Sequence, residues 1–499
     1  MFDSNLRSHE WSRDAGQAQF TLKYWIPIVS LTLSCAGCVR FESKPIAPEE
    51  TAARLEARRL DDAGLKTFLE TGLGHELDAW PVKTWDLQML TLAAFYFNPA
   101  LDVARAQWSA AEAGTRTAGG RPNPTLGLTP GYDFSAANGL SPWIPFFNLD
   151  VPVETSGKRG KRVAKARHLS ESARLNIATV AWQVRSGVRA NLLELTAANA
   201  RAALLEKQLS VQEQIVKRLE QRLAAGAIAQ PELTGARIAM SKTLIDLGDA
   251  KSKRAEARAR LAQCIGLRAR AIDGVKFAFD FSEHPADGLT SEDARGVALR
   301  GRSDVLGALA DYAAAEAELR LQVAKQFPDV HLNPGYQFDQ GDNKWTLGIS
   351  FELPVLNQNQ GPIAEARAQR EVAAARFAEL QSRVIGEIDR AIAARRTARE
   401  QLAAGDRLLA AEQRQQQSVE AQLKAGAVDS LDTLTAQLEL GMAAVAQLDG
   451  QVKWQQSLGA LEDALQRPIE SVAGSASDSA LTNIVEQAPD RSGLNKQTQ

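Results

Sequence analysis

The stretch Pro124-Thr125-Leu126-Gly127-Leu128-Thr129-Pro130-Gly131-Tyr132-Asp133-Phe134 returns 204 residues later as Pro328-Asp329-Val330-His331-Leu332-Asn333-Pro334-Gly335-Tyr336-Gln337-Phe338. Both copies alternate apolar and polar residues, the period of a strand with two different faces. The echo extends outward from this pair. Upstream, Ala110-Ala111-Glu112-Ala113 matches Ala314-Ala315-Glu316-Ala317 at the same offset of 204. Downstream, Val151-Pro152-Val153 meets Leu353-Pro354-Val355, and Ala164, Ala166 and Arg167 meet Ala364, Ala366 and Arg367. Leu223 to Ile228 then meets Leu423 to Val428 at an offset of 200. Matches in one order with a slowly drifting offset identify a duplicated unit of about 200 residues. This replaces the three unrelated domains that a length of 499 residues suggests.

Each unit reads helix, strand, strand, long helix, turn, helix. Residues 84–120 and 291–326 carry helical periodicity, and residues 158–225 and 363–425 are long helices. At 1.5 Å per residue the first long helix is roughly 100 Å, far beyond a globular helix, and demands coiled-coil or barrel packing. Gly226 and Gly426 fit left-handed C-terminal caps, and Pro231 fits the first turn of the next helix. Helices follow at 231–268 and 429–467. Repeat 1 thus covers 81–270, with a β-hairpin at 124–153. Repeat 2 covers 291–468, with a hairpin at 328–355. The connecting segment 271–290 holds Phe277, Phe279 and Phe281 in strand-like alternation. The Ser-, Ala- and Gln-rich tail 469–499 is expected to be disordered.

The strands pose the decisive question. Leu126, Leu128, Pro130, Tyr132 and Phe134 share one face, as do Phe147, Leu149, Val151 and Val153 in the second strand. Val330, Leu332, Pro334, Tyr336 and Phe338 share a face in the third, and Trp345, Leu347, Ile349, Phe351 and Leu353 in the fourth. The other face is expected to be polar throughout. A soluble sheet packed on one side gives the same alternation. Strands of about 10 residues also suffice to cross an outer membrane when tilted. Four strands cannot close a spanning barrel, and open edges do not survive in hydrocarbon. A membrane reading therefore requires several copies. A dimer gives eight strands, normally filled by side chains. A trimer gives a 12-stranded barrel with room for a lumen. Its twelve helical paths, about 10 Å apart, would make a ring about 38 Å across.

Composition agrees. Mean hydropathy is -0.25 and no run of 18 apolar residues occurs, which excludes a polytopic helical membrane protein but not a β-barrel. A net charge of -2 leaves no global basic footprint, so no nucleic acid partner is expected. Cys35 and Cys38 form a lone C-x-x-C outside any βαβ pattern, and the five histidines are scattered, so neither a redox nor a metal site is expected. No GxSxG, HExxH or dinucleotide fingerprint is present, and Gly72-Leu73-Gly74 lacks a third glycine and a preceding strand. The chain is read as no enzyme, without cofactor.

Near the N-terminus, Lys23 precedes an apolar run from Tyr24 to Ser34 and then Cys35-Ala36-Gly37-Cys38. This has the pattern of an export signal over 1–37, too short to span as a stable helix. The small residues before Cys38 resemble a bacterial lipobox with Cys38 lipidated, although Cys35 sits where leucine is usual. Residues 38–80 then form an N-terminal lipoprotein segment, and no disulfide is expected. Plain signal-peptide cleavage and a short buried apolar segment are the alternatives.

The tandem helix–hairpin–helix unit, the Pro122-Asn123-Pro124 entry into the first strand and the Gly226 and Gly426 turns resemble the TolC-like outer-membrane efflux proteins. So does the segment Asn98-Pro99-Ala100-Leu101 with its repeat partner Arg302-Ser303-Asp304-Val305. The resemblance covers about residues 80–468. Glu154 to Arg159 looks most like the heavy-metal, CzcC-like branch. The resemblance implies a mainly α fold with a transmembrane β-barrel, a homotrimer in the outer membrane of a Gram-negative bacterium. It implies a passive tunnel across the periplasm, docked on a periplasmic adaptor (membrane fusion protein) and an inner-membrane pump. The pump would be of the resistance-nodulation-division type, with heavy-metal or drug cargo, or an ABC pump in type I protein secretion. Gly226, Leu233, Gly426 and Leu434 would mark the adaptor-contact helix tips. Asp432 falls where the family carries an acidic aperture residue, Glu232 is its repeat counterpart, and Asp429 is a substitute for a second acid that Thr435 does not provide. A carboxylate ring in a constriction favours cations, while a solvated helix N-terminus favours the same residues through its dipole. Lys158, Arg159, Lys161 and Arg162 begin the long helix and are read as a membrane-interface basic cluster facing outer-membrane lipid. They are no P-loop, because the glycine five residues before Gly157 is missing. A periplasmic coiled-coil scaffold explains the helices but not the strands.

Overall fold

A computed structural model describes residues 40–137, 139–281 and 290–469. The signal-like segment, Cys35, Cys38 and the tail after 469 lie outside the described residues. Of the described residues, 40–53 cluster separately from the remainder, which holds both repeats. Pro48–Glu56 forms a short helix, α1. Then come α2 (Ala63–Leu73), β1 (Thr84–Trp85), α3 (Leu87–Phe97) and α4 (Pro99–Gly119). The first hairpin is β2 (Thr125–Tyr132) and β3 (Trp143–Val153), followed by the 67-residue α5 (Lys158–Ala224) and α6 (Gln230–Ile265). β4 (Lys276–Phe277) lies in the connecting segment. Repeat 2 runs α7 (Ser291–Gly301), α8 (Ser303–Ala324), β5 (Val330–Asp339), β6 (Asp342–Phe351), the 65-residue α9 (Gln360–Lys424) and α10 (Ser430–Leu465).

Three expectations need correction. The helical stretches 84–120 and 291–326 are each two helices, broken at Asn98-Pro99 and at Arg302-Ser303. Proline disfavours helical backbone in the residue before it. Asn98 then caps α4, its side chain accepting from the Ala100 N–H at 2.9 Å, while its amide donates to the Cys264 carbonyl at 2.7 Å. In repeat 2 Arg302 takes the equivalent place and donates to the Ala464 carbonyl at 2.9 Å. The paired segments are thus the points where each repeat's broken helix is tied to the end of its last helix. Second, the fourth strand ends at Phe351, short of Leu353, because its partner β5 begins opposite it at Val330. Third, of the three alternating phenylalanines only Phe277 enters a strand, and β4 pairs in parallel with β1.

The four long strands form one antiparallel sheet in the order β2-β3-β5-β6. Their faces follow the expected parity with one exception. On β3, Ile144 and Phe146 share the polar face opposite Gly131 and Thr129, and Pro152 joins them opposite His331. Phe146 covers Gly335, where an added Cβ would come within 3.2 Å of its ring. Bulk on β3 thus fills the space that the facing glycine leaves.

Each repeat has its own apolar core. Leu65, Leu69, Leu90, Phe97, Leu101, Ile177, Leu192 and Leu261 pack in the first. Ala294, Ala298, Val305, Val384, Ile388 and Leu461 pack in the second. The first is enlarged by Leu65 and Leu69 of α2 and by Trp85, against which Phe277 packs. α5 packs against α4, α6, α8 and α10 and so joins the repeats. A buried polar seam fixes α5 to α10. Arg189 donates to the Gln455 carbonyl at 2.8 Å and to its Oε1 at 3.0 Å, Arg185 pairs with Glu462 at 3.0 Å, and Trp182 and Ser186 both donate to Asp463. Burial pushes the Asp463 carboxyl above its ordinary pKa, against the pull of the Ser186 and Trp182 hydrogen bonds.

Candidate channel wall and helix-hairpin tips

The apolar face of the sheet is uncovered. Leu126 is 62% exposed, Trp345 79%, Leu347 71% and Ile349 64%. Monomeric soluble proteins rarely leave so continuous an apolar surface open to water. Aromatics gather toward the hairpin ends. Tyr132 faces Trp143 with ring centroids 5.1 Å apart, and Tyr336 faces Trp345 at 4.8 Å. This is the pattern of an interfacial girdle. β2 and β6 are edges, each paired on one side only within the chain. The opposite face carries Thr125, Thr129, Asn148, Asp150, His331, Asn333, Gln337, Thr346 and Ser350 beside Ile144, Phe146 and Pro152 on β3.

Where the sheet meets the helices, the basic cluster bonds within the chain, with Lys158 buried, Lys161 and Arg162 half-buried and Arg159 exposed. Lys158 is buried and bonds Asp329 at 2.7 Å, and Asp329 also accepts from the Thr155 N–H at 2.9 Å. Arg159 donates to the Gly119 carbonyl at 2.6 Å, and Lys161 to the Ser156 carbonyl. Arg162 grips Glu154 and reaches the carbonyls of Ala118 and Gly120, both at 3.1 Å. Arg159 and Arg162 thereby satisfy orphan carbonyls at the end of α4 and complement its negative dipole end. Repeat 2 makes the same joint with an uncharged side chain, Asn359, whose amide donates to the Gln322 carbonyl at 2.7 Å.

At the other end lie two helix-hairpin tips. Gly226 has φ +71 and Gly426 φ +73, the left-handed region that glycine enters without strain. Ala227 N–H reaches back to the Arg222 carbonyl at 2.8 Å, and Ala427 N–H to the Gln422 carbonyl at 2.9 Å, so both long helices end in a Schellman turn. Leu233 and Leu434 are buried instead of lying on the outer surface of the tips. Leu233 packs with Val216 and Leu219, and Leu431 of the second tip joins this cluster. The exposed tip residues include the two glycines, Ala227, Ala427, Gln230, Pro231, Glu232, Asp429 and Asp432.

The three acids are each engaged. Asp429 caps α10, accepting from Leu431 N–H at 2.6 Å and Asp432 N–H at 3.2 Å, while Asp432 accepts from the Asp429 N–H at 3.0 Å. This is a reciprocal capping box. Glu232 makes the weaker version, at 3.5 Å from the Ala229 N–H, because Ala229 has no side chain to cap α6. Asp429 also pairs with Arg222, tying the tip of repeat 1 to the tip of repeat 2. Burial opposes ionisation of Asp429, but the Arg222 bond and the two backbone donors outweigh it and hold the carboxyl below its ordinary pKa. The Arg222 partner is not legible in the sequence, because it comes from 207 residues away. The same is true of Lys158 and Asp329.

A sheet with an uncovered apolar face and free edges, carried on paired helices of 67 and 65 residues, defines an outer-membrane channel fold. The chain belongs to the outer membrane efflux protein family, which it matches over residues 94–267 and 295–466. It is 24% identical over 228 residues to the cobalt-zinc-cadmium resistance protein CzcC of Cupriavidus metallidurans, covering 45% of this chain and 53% of that one. It is 26% identical over 239 residues to the pyoverdine export outer membrane protein OpmQ of Pseudomonas aeruginosa, covering 46% and 48%. These matches span about half the length of those relatives. The crystal structure of the Campylobacter jejuni CmeC outer membrane channel shares the fold, with a TM-score of 0.63 and 15% identity over 98% of this chain and 99% of that one. The family is one of efflux channels and not of enzymes.

Proposed function

We propose that three copies of this chain form a channel in the outer membrane that serves as the passive exit duct of a tripartite efflux system. The observation that carries this reading is the four-stranded sheet with one exposed apolar face and two unpaired edges. β6 of one copy meeting β2 of the next removes every edge, and three copies close twelve strands around a polar lumen. The exposed face of α6, with Ile238 and Ile245, is uncovered within the chain and suits burial against a neighbouring copy.

The helix-hairpin tips are the periplasmic end. Their exposed glycine turns and the Gln230-Pro231-Glu232 corner meet a periplasmic adaptor, and the buried Leu233 and Leu434 hold the tips in shape. Asp432 and Glu232 give three copies a ring of carboxylates at the aperture, favouring cations, while Asp429, balanced by Arg222, holds the ring in place. The basic residues 158–162 hold the membrane joint at the lipid interface, and Cys38 anchors the chain by a lipid. Export energy comes from an inner-membrane pump, read as the resistance-nodulation-division type. The likeness to a cobalt-zinc-cadmium resistance protein favours metal cargo, and the likeness to a pyoverdine export protein favours small molecules.

The test is mass measurement of the detergent-purified protein together with planar-bilayer recording. A trimer with stable, wide conductance is expected. A monomer without conductance would overturn the reading. Replacing Asp432→Ala is expected to lower cation selectivity, and an unchanged reversal potential would remove the aperture role.

A further inference from the structure

His331 stands on the polar face of β5, the only described histidine in the sheet. Its Nδ1 lies 2.9 Å and 3.1 Å from the two oxygens of Asp150 on the neighbouring strand β3. A carboxylate only accepts, so Nδ1 is the donor in this bond, and in the neutral ring Nε2 then carries the lone pair. Among the described residues Nε2 has no hydrogen-bond partner, and the ring is 40% exposed. Pro152 faces it directly on β3, and Asp150 reaches it from the diagonal position. Ser350 faces it across the ladder on β6, and Asn333, two residues on, donates to Ser350 Oγ at 3.0 Å. Asp329, two residues before it, is bound by Lys158, so its charge is largely balanced.

A carboxylate that holds one imidazole nitrogen orients the other as a donor and raises its basicity, which is the arrangement found behind metal-ligating histidines. Imidazole selects borderline divalent cations of the Zn2+ type over hard cations such as Mg2+. One imidazole per chain gives no closed four-ligand cage. Among the described residues no cluster of three or more His, Cys, Asp or Glu side chains could hold a metal. The site is therefore open and weak, with water completing the coordination. In a conducting path that is the useful regime, because a bound ion must also leave.

We propose that His331, oriented by Asp150, is a transit site for borderline divalent cations on the channel wall, one per chain. This rests on the reading that the polar face lines the lumen. His331 Nε2 is the ligand, and Asp150 is a positioning residue.

Two readouts separate the site from the duct. The first is Zn2+ binding to detergent-purified trimer at pH 7.5, by competition with a chromophoric chelator. The second is block of single-channel current by Zn2+, with Mg2+ as control. His331→Gln is expected to lose one weak Zn2+ equivalent per chain and to abolish Zn2+ block. Asp150→Asn is expected to keep the site with Zn2+ affinity lowered 10- to 100-fold. His168→Gln, an exposed histidine on α5, is expected to match the wild type. Mass measurement checks that each variant is assembled. Binding and block by His331→Gln equal to the wild type would overturn the proposal, and so would equal block by Mg2+. Equal affinity in Asp150→Asn would remove the positioning role. Loss of binding without any conductance in the wild type would support the site while refuting the duct.

Discussion

Replacing Leu347→Arg separates a lipid-facing sheet from a water-facing one. Leu347 is the sixth of ten residues in β6, so it sits near mid-height of the strand. It is 71% exposed within the chain, so its removal sacrifices little intrachain packing. If the apolar face meets water, the substitution costs no more than about 0.5 kcal/mol. If the face meets hydrocarbon, an arginine at mid-depth of a barrel strand costs about 2–4 kcal/mol, which is roughly a 30- to 1,000-fold change in the folding equilibrium at 1.4 kcal/mol per factor of ten. The adjacent Thr346 points to the opposite face, because side chains alternate along a strand. Thr346→Arg should therefore stay within about 1 kcal/mol of the wild type if that face is wet. Phe351→Arg, at the strand end, should cost about 0–1 kcal/mol of lipid penalty, because that penalty fades toward the interface. The assay is urea-driven unfolding and refolding in phosphatidylcholine bilayers, followed by tryptophan fluorescence. Protein concentration is held fixed, because assembly shifts apparent stability by mass action. The expected order is Leu347→Arg far below Phe351→Arg, with Thr346→Arg near the wild type. Equal effects at 346 and 347, or an inert Leu347→Arg, would refute the membrane reading of the sheet.

Asp429→Ala should loosen the tip of repeat 2 by about 1 kcal/mol through lost capping, seen as faster amide exchange at 429–433 with no change at the hairpin. In the wild type the depressed pKa of Asp429 makes its contribution fully present above the ordinary carboxylate range, and it is lost only as pH falls through the lower folded value. Tip exchange protection, corrected for intrinsic rates, should then be flat from pH 7 to 5, and a loss in that window would refute the pairing. Gly266→Ala should destabilise repeat 1 by roughly 2–4 kcal/mol, because φ is +94 and an added Cβ would lie 2.6 Å from the Phe97 carbonyl oxygen. Gly226→Ala has the same handed strain at φ +71 but open space, and should cost about 1–2 kcal/mol, so equal melting shifts would contradict the close approach. Cys38→Ala should remove the lipid mass from the exported protein while leaving it in the outer-membrane fraction, as read by mass spectrometry after fractionation. An unchanged mass would remove the anchor.

Much of the architecture is legible because it is written in local periods. Alternation over residues 124–134 and 328–338 marks two strands of the sheet. Uninterrupted helix formers over 158–224 mark α5, and Gly226 and Gly426 mark its end and that of α9. Each of these signals depends on neighbours a few residues away, so a single chain suffices to read them. The duplication adds one long-range fact, that the two units share a plan, and the exposed apolar face bears on the need for several copies.

The partners across the fold were decided elsewhere. Nothing near Lys158 announces that it will be buried against Asp329, or that the charges at 159, 161 and 162 will bond carbonyls inside the chain. The basic run reads as a surface feature because charge alone is a local property, whereas burial is set by which segments the topology brings together. The same holds for Asp429 with Arg222 and for Arg189 with Gln455. His331 looks scattered in sequence. Only the pairing of β3 with β5 brings Asp150 to its ring, because strand register, a tertiary property, determines which side chains from distant segments share one face.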